Sequence, residues 1–336
     1  MKNRIIECLL NSENVAIYAH INIDCDGMGS SLALKEVLES LGKKVDVFIN
    51  SNFPDNFSFY GNLDFVNKKS CKNYDTAICL DMPNESRLGK YKFTYRKGVK
   101  QTICIDHHYL ANEKFCKINY VKQASSTAEI LFFILKDMKI NFTNSICKYL
   151  ISGIITDTGK FSHSISNSTF YVVSKLLQLG KFSIEEITTP LFMSMKYEIF
   201  SMMQLAYQKI EFYADKKLAI IMFNHNEFKE RNITLDDLDA FPDIPLQLES
   251  VKFAILASED DKGYFRVSFR SKGNVSAAEV AKTFGGGGHL NASGCKIFGE
   301  FDEVKELLIN NTIQTLGWER WLKDKLVLLM WLSQRV

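Results

Sequence analysis

The chain has 336 residues, of which 46% are hydrophobic and 24% are charged, and its 41 basic and 39 acidic side chains leave a net charge of +2. This composition excludes a disordered chain, and the charge balance excludes a generally basic nucleic-acid coat, although a local basic groove is compatible with it. A chain of this length buries a sizeable core and is expected to form two domains.

The cysteines and the N-terminus indicate the compartment. The eight cysteines are scattered, several lie in apolar runs, and none forms a C-x-x-C pair. This predicts a reducing compartment, without a disulfide framework or a cysteine zinc site. Glu7 interrupts a very short apolar stretch, so no signal peptide is expected. No run reaches the roughly 18 apolar residues that span a bilayer. We therefore expect a cytoplasmic protein without a membrane partner.

The first half of the sequence alternates short apolar runs with helical patterns. The predicted strands are 15–19, 45–49, 76–80, 102–105 and, less regularly, 63–66, and the predicted helices are 30–41, 127–136 and 145–155. Such alternation predicts an α/β fold with a parallel sheet covered on both faces. Ligands of these sheets gather beyond the carboxyl ends of the strands.

The second half has a different pattern. A helix is predicted over 165–183, and the Met- and Phe-rich helical stretch 184–210 is interpreted as buried core or a linker. Strands at 217–223, 251–257 and 263–270 and a helix at 276–284 predict a smaller mixed α/β domain. The predicted domains are 1–185 and 211–315, joined by a helical linker over 186–210. The tail 316–336 contains Trp318, Trp321 and Trp331, and a docking helix, a partner surface and a non-native extension all stay open for it.

Acidic and imidazole side chains follow four apolar runs of the first half. They are His20, Asp24 and Asp26 after the first run, Asp81 after the second, Asp106-His107-His108 after the third and Asp157 after the fourth. Each motif alone is weak, since a surface loop explains it equally well. Together they indicate mixed imidazole and carboxylate ligands, which suit Mn²⁺, Zn²⁺, Co²⁺ or Fe²⁺. They are too many for one tetrahedral ion, and two ions sharing a carboxylate can clamp a phosphoryl oxygen and activate a water. The pattern predicts a metal-dependent hydrolase.

Two further segments bear on substrate binding. Gly285–Gly288 and His289 follow an amphipathic helix pattern, and Arg270 ends a predicted strand. A glycine run is usually a flexible linker, but consecutive glycines also expose N–H groups that form an anion-binding concavity. Arg270 offers a bidentate fork for phosphate, and His289 adds a donor or a stacking face. In the first half, Ser125-Ser126-Thr127 with Glu129 predicts a helix start near the metal ligands.

These segments resemble the DHH phosphoesterase superfamily, which is named for its Asp-His-His motif. The four motifs are similar to 20–31, Asp81, Asp106–His108 and 156–159, and Phe269-Arg270-Ser271 with 285–294 resembles the DHHA1 domain. The resemblance covers nearly the whole chain up to about residue 315. Within the superfamily, the chain looks most like the nanoRNase and pAp phosphatase group.

The resemblance implies a role for each matching residue. His20 and Asp24 would bind one metal, Asp26, His107 and Asp157 the other, and Asp81 would bridge the two. His108 would stabilise the attacked phosphate or protonate the leaving oxygen, and Asp106 would orient a histidine ring. The implied substrate-binding residues are Arg270, Ser271, Gly286, Gly287, Gly288 and His289. Ile23 stands where the family often has proline, a position that is not a ligand.

The resemblance also implies a function. We expect a two-metal, Mn²⁺-dependent phosphoesterase that hydrolyses nanoRNA or 3′-phosphoadenosine 5′-phosphate (pAp) to mononucleotides, by attack of a metal-bridging hydroxide in an inter-domain cleft. The expected partner is short single-stranded RNA or a nucleotide, without long duplex nucleic acid, and a homodimer is compatible with the sequence. The alternatives are a cyclic-di-AMP or pApA phosphodiesterase, a pyrophosphatase, a RecJ-like exonuclease and a nucleotide-binding module without catalysis.

Overall fold

A computed structural model describes residues 1–53, 55–108, 114–231, 233–238, 240–288 and 290–318. The chain divides into two units, Met1–Ser194 and Met195–Val336. His289 and the predicted tail beyond Trp318 lie outside the described residues. Among the residues that are described, no helix is long and apolar enough to cross a membrane.

A parallel sheet forms the centre of the first unit. Its strands are β1 (Asn14–Ala19), β2 (Lys44–Ile49), β3 (Thr76–Leu80), β4 (Gln101–Asp106) and β5 (Ile118–Val121). They lie in the order β2-β1-β3-β4-β5, and every neighbouring pair is parallel. Strand β3 is buried along its whole length, which is typical of a parallel sheet covered on both faces and explains its continuous apolar sequence.

The two faces of this sheet pack against different layers. The first unit contains the helices α1 (Lys2–Asn11), α2 (Cys25–Ser40), α3 (Thr127–Asp137), α4 (Asn144–Asp157), α5 (Asn167–Gly180) and α6 (Glu185–Phe192) and the 3₁₀ segments Asp55–Tyr60 and Glu85–Phe93. Ile17 and Ile78 point into the core formed with α2 to α5. Tyr18 and Cys79, one residue further along each strand, point into a smaller core with Leu88 on the other face. The predicted two-sided covering is confirmed.

Two sequence expectations in this unit were wrong, and a third concerns a stretch that continues into the second unit. Residues 63–66 form turns, not a strand, and their apolar side chains Leu63 and Phe65 pack on the core without strand pairing. Helix α2 begins at Cys25, not at residue 30, because Asp24 caps it. The stretch 184–210 is two helices, α6 and α7 (Tyr197–Lys209), separated by non-helical residues.

A mixed sheet forms the centre of the second unit. Its strands are β6 (Glu211–Tyr213), β7 (Leu218–Phe223), β8 (Phe253–Glu259), β9 (Tyr264–Ser271), β10 (Gly287–Gly288) and β11 (Ala292–Phe298). Their order is β10-β11-β9-β8-β7-β6, with only β7 and β8 parallel among these pairs. The remaining elements are α8 (His225–Lys229), the 3₁₀ segment Leu235–Leu238, α9 (Asp243–Leu246), α10 (Ala277–Thr283) and α11 (Phe301–Thr315). The predicted mixed α/β fold is confirmed.

Candidate metal centre

The loop after β1 presents a histidine and two carboxylates. Asp24 caps α2, since its side chain accepts hydrogen bonds from the N–H groups of Asp26 and Gly27, both at 3.0 Å. Asp26 is thereby held in the first helical turn, where it is completely buried. A side chain at Gly27 would place its Cβ 2.7 Å from Ile23 Cδ1 and 3.0 Å from His20 Nε2, so it would crowd this histidine.

Asp81 lies between two histidines at the carboxyl end of β3. Its Oδ2 is 3.3 Å from His20 Nε2, and its Oδ1 is 3.4 Å from His107 Nε2. His20 Nε2 is also 3.5 Å from Asp24 Oδ1, and His107 Nε2 is 3.0 Å from Asp157 Oδ2. Each carboxylate oxygen of Asp81 thus faces a different imidazole nitrogen.

The structure brings all the sequence-predicted ligands into groups that could hold a metal ion. Within each group, potential ligand atoms lie within 4.8 Å of one another, and the groups are His20, Asp24 and Asp81, then Asp26, His107 and Asp157, and finally Asp81, His107 and His108. Nitrogen and oxygen donors in this proportion fit divalent transition metals. Because the two oxygens of Asp81 face His20 and His107, which belong to different groups, the donor set fits two neighbouring ions.

Helix α3 supports this centre, and the sequence did not reveal how. The backbone N–H groups of Thr127 and Ala128 donate to the two oxygens of Asp26, at 2.6 and 2.9 Å. The Thr127 hydroxyl donates to Asp81 Oδ1 at 3.1 Å. Ser126 caps the helix by accepting the Glu129 N–H. The capping pattern Ser126-x-x-Glu129 signalled the helix start, but the contact with Asp26 spans 101 residues and has no local signal.

His108 has a different partner from the other histidines. Its Nδ1 lies 2.7 Å from Oδ1 of the buried Asp106. The other Asp106 oxygen, Oδ2, is buried without a hydrogen-bond partner among the described residues. If Nδ1 carries the proton for this bond, Nε2 of His108 is left free to exchange a proton with a ligand.

Electrostatic coupling within the centre holds protons on its histidines. Burial lowers the pKa of His20, but hydrogen bonds and charges from Asp24 and Asp81 outweigh burial and raise that pKa to about 10. For His107, burial is likewise outweighed by Asp157 and the neighbouring carboxylates, and the pKa rises to about 10. Burial and the charges of nearby carboxylates raise the pKa of Asp26 well above its usual value. Several carboxylates within one small centre, with strongly shifted pKa values, are typical of a cation-binding site.

Arg87 is a further cationic side chain at this centre that sequence reasoning missed. Its Nη2 lies 3.1 Å from His20 Nδ1, and the same His20 nitrogen lies 2.8 Å from the Ile21 carbonyl oxygen. The backbone carbonyl of Arg87 accepts the Ile21 N–H at 2.8 Å, which fixes the two segments together. Among the described residues, the Arg87 side chain has no carboxylate partner. It therefore adds positive charge beside a candidate metal ligand.

The predicted substrate residues lie in the second unit, at one end of its sheet. Arg270 is opposite Ala292 in β11, and Gly288 is opposite the adjacent Ser293, so a single strand separates Arg270 from Gly288. Arg270 Nε lies 3.9 Å from a carboxylate oxygen of Asp243.

The glycine run and Ser271 are partly committed to the fold. The N–H of Gly286 donates to the Ala281 carbonyl, and a Cβ at Gly286 would lie 2.2 Å from a backbone oxygen of β11. Gly287 and Gly288 are exposed on β10. The Ser271 hydroxyl donates to the Val275 carbonyl at 2.6 Å, so this side chain shapes the loop that precedes α10.

Comparison with known proteins agrees with this geometry. The N-terminal domain of the DHH family matches residues 14–154, and the DHHA1 domain matches residues 214–314. The chain belongs to the DHH/DHHA1 phosphoesterase superfamily. It is therefore a hydrolase, and the resemblance found in the sequence is confirmed.

Relatives and solved structures match nearly the full chain. The chain is 28% identical to the "Probable bifunctional oligoribonuclease and PAP phosphatase NrnA" of Streptococcus mutans, over 88% of this chain and 95% of the relative. It is 23% identical to the Bacillus subtilis "Bifunctional oligoribonuclease and PAP phosphatase NrnA", over 92% and 96%. The structure of an exopolyphosphatase-related protein from Bacteroides fragilis superposes with a TM-score of 0.84 at 25% identity, over 96% of each chain. RecJ from Thermus thermophilus, solved in complex with Mn²⁺, shares the fold with a TM-score of 0.52 at 14% identity, over 95% of this chain and 54% of RecJ.

Proposed function

We propose that this DHH hydrolase cleaves short oligoribonucleotides, pAp or both to mononucleotides, using two divalent ions. The observation that carries the proposal is the position of Asp81, whose two oxygens face His20 and His107. The Streptococcus mutans and Bacillus subtilis relatives, both named as oligoribonuclease and PAP phosphatase, match along 95% and 96% of their own length, which supports the substrate class.

The donor set favours a divalent transition metal over Mg²⁺, and among such ions we propose Mn²⁺. Three imidazoles, counting His108, and four carboxylates surround the centre. Mn²⁺ accepts such a mixture of nitrogen and oxygen donors, whereas Mg²⁺ prefers sites with oxygen donors alone. Two such ions, when bound, supply Lewis acidity that activates water and neutralises phosphoryl oxygens. His20 and Asp24 would hold one ion, Asp26, His107 and Asp157 the other, and Asp81 both.

His108 and Asp106 would manage the leaving group. As water adds to phosphorus, the P–O bond to the leaving nucleotide breaks and its electron pair moves to that oxygen. His108 would donate a proton to the oxygen from Nε2, and Asp106 would hold the ring through Nδ1. A proton positioned there avoids the release of an unstable alkoxide.

In the second unit, Arg270 would bind a phosphate of the substrate. Its guanidinium is partly exposed, with only one long contact, to Asp243, among the ion pairs of the described residues. The exposed Gly287 and Gly288 lie one strand away and would let the substrate backbone approach closely. His289, for which the same role is predicted, lies outside the described residues.

A side-by-side assay tests the function. The purified chain with Mn²⁺ is offered pAp, a 5′-phosphorylated RNA dinucleotide, cyclic-di-AMP and pyrophosphate. We expect pAp or the dinucleotide to give the highest kcat/KM. A preference for cyclic-di-AMP would keep the metal chemistry and replace the substrate, and a preference for pyrophosphate would contradict the role of Arg270.

A matched pair of variants tests the metal centre. Asp81→Asn should abolish turnover and reduce metal content, because it removes the shared carboxylate. Asp75→Asn is the control, since Asp75 precedes the same strand at its opposite end and accepts the N–H groups of Glu13 and Asn14. Near-normal activity of Asp81→Asn with full metal content would contradict the two-ion proposal.

A further inference from the structure

A cavity of about 580 Å³ adjoins the candidate metal centre within the first unit. His107 and His108 form part of its wall, so the cavity begins where the reacting phosphate is proposed to lie. The rest of the wall comes from the segment before α3, from α3 itself and from the loop before α5. A volume of this size is within the range of small-ligand sites, roughly 300–1,000 Å³.

One wall of the cavity is aromatic and apolar. Phe133 packs with its neighbours against the core of the unit and also borders the cavity, together with Ile130 and Ile165. The ammonium group of Lys122 lies 5.9 Å from the centre of the Phe133 ring. Lys122 is exposed and has no carboxylate partner among the described residues. A ligand with a planar ring and an anionic group suits this wall, because the ring can stack on Phe133 and the anion can pair with Lys122.

The floor of the cavity is a built polar network. The Glu129 carboxylate is buried, and it accepts hydrogen bonds from the hydroxyls of Ser125, Ser168 and Thr169. These bonds join the start of α3 to the start of α5 and occupy the carboxylate fully. This network gives the floor of the cavity a fixed shape.

We propose that this cavity binds the nucleoside of the leaving group, with its base against Phe133. The proposal rests on the proposed function and adds a subsite to it. The leaving nucleoside is favoured because His108, the proposed proton donor to the leaving oxygen, is itself part of the cavity wall. The polar wall residue Gln123 carries an amide that both donates and accepts, so it would tolerate different bases.

A binding experiment tests the cavity without requiring turnover. The affinities of adenosine 5′-monophosphate (AMP) and ribose 5-phosphate are measured by calorimetry on the full chain with Mn²⁺. We expect the base to improve affinity about tenfold in the wild type, in keeping with the strength of base–aromatic stacking. Phe133→Leu should reduce that preference about fivefold and leave the affinity for ribose 5-phosphate unchanged. A preference for AMP that survives Phe133→Leu would overturn the proposal.

Two further variants guard against a folding artefact. Ile165→Trp adds bulk at a side chain that is 42% exposed and should also reduce the AMP preference. Phe93→Leu removes a ring that is 84% exposed and does not border the cavity, so it should bind as the wild type does. Equal effects of Phe93→Leu and Phe133→Leu would overturn the proposal.

A kinetic experiment places the nucleoside on the leaving side. The substrates are a 5′-phosphorylated dinucleotide and two analogues, one without the 5′ base and one without the 3′ base. Cleavage to 5′-mononucleotides makes the 5′ nucleotide the leaving group, so Phe133→Leu should slow every substrate except the analogue without the 5′ base. An equal loss on both analogues, or a loss that requires the 3′ base, would overturn the placement. If no dinucleotide is cleaved, the proposed function fails, while the AMP measurement still decides whether the cavity binds a nucleoside.

Discussion

The backbone N–H of Thr127 donates a 2.6 Å hydrogen bond to the Asp26 carboxylate, although 101 residues separate them. Asp26 is completely buried and carries a carboxyl whose pKa burial raises well above its usual value. The N-terminus of α3 supplies partial positive charge that offsets some of that cost. The helix start is therefore part of the support of a candidate metal ligand, and not merely a neighbouring element.

Removing the cap of this helix should weaken metal binding. Ser126→Ala deletes the acceptor for the Glu129 N–H and should cost about 1 kcal/mol of stability. Because the same turn holds Asp26, we also expect about a tenfold loss of Mn²⁺ affinity. Thr143→Ala is the control, since Thr143 caps α4 in the same way, at 3.1 Å from the Ile146 nitrogen. Calorimetry of both variants checks this, and equal Mn²⁺ affinities would refute the role assigned to α3.

The pairing of Asp106 with His108 gives a second prediction. Asp106→Asn replaces the acceptor of the His108 Nδ1 proton, and His108→Ala removes the proposed proton donor. Both variants should lower kcat by roughly 10²–10⁴, the range of general acid catalysis. Metal content, measured by atomic absorption, should stay at the wild-type level. Loss of a metal from His108→Ala would instead make His108 a ligand.

Short motifs and apolar runs predicted most of the first sheet, because buried parallel strands need continuous apolar sequence. Strand β5 was missed since Ile118–Val121 is short and carries the polar Asn119. Residues 63–66 gave a false strand because their apolar side chains serve core packing from a turn.

Most ligands of the centre were predictable for a related reason, since they follow strands β1, β3 and β4, whose carboxyl ends lie at the same sheet edge. Asp157 is the exception, because it ends helix α4. The contributions of Thr127 and Arg87 were not, because they depend on contacts between distant segments. A local pattern can mark a helix start, but it does not identify the carboxylate that the helix will meet.

Metal binding should release protons. In the metal-free chain the pKa of both His20 and His107 is about 10, so both rings are protonated at pH 7. A ring nitrogen must lose its proton before it binds a metal, and we expect at least two protons, one from each ring, to be released when the centre is filled. Calorimetry at pH 7 in buffers of different ionisation enthalpy measures this number. A release near zero would mean that the histidines are not ligands.

The same shifts predict how stability depends on pH. A histidine whose pKa is raised on folding stabilises the folded state fully below its unfolded value of about 6.5, and this contribution is lost as pH rises through the folded value. The raised pKa of Asp26 acts in the same direction, since the folded chain binds more protons than the unfolded one. The metal-free chain should therefore melt at a lower temperature at pH 9 than at pH 6. The Mn²⁺-loaded chain is the control and should show a smaller difference.

Arg87 should bind the substrate, not the metal. When His20 binds a metal through Nε2, its Nδ1 must carry a proton, which it donates to the Ile21 carbonyl. Nδ1 then cannot accept from Arg87, and the guanidinium is left beside a cation without a carboxylate partner among the described residues. An anion near the guanidinium would relieve this repulsion, and in the proposed function a phosphate oxygen of the substrate is the anion that we expect there.

Arg87→Gln should consequently lower kcat/KM about tenfold or more, while Mn²⁺ affinity stays equal or rises because a neighbouring positive charge is gone. Arg96→Gln is the matched control. Arg96 follows the same 3₁₀ segment and pairs with Glu85, the first residue of that segment, so this variant should affect stability alone. Steady-state kinetics and Mn²⁺ titration of both variants separate the two roles. Recovery of Arg87→Gln at saturating Mn²⁺ would show that Arg87 supports the metal site, because a lost phosphate contact cannot be restored by adding metal.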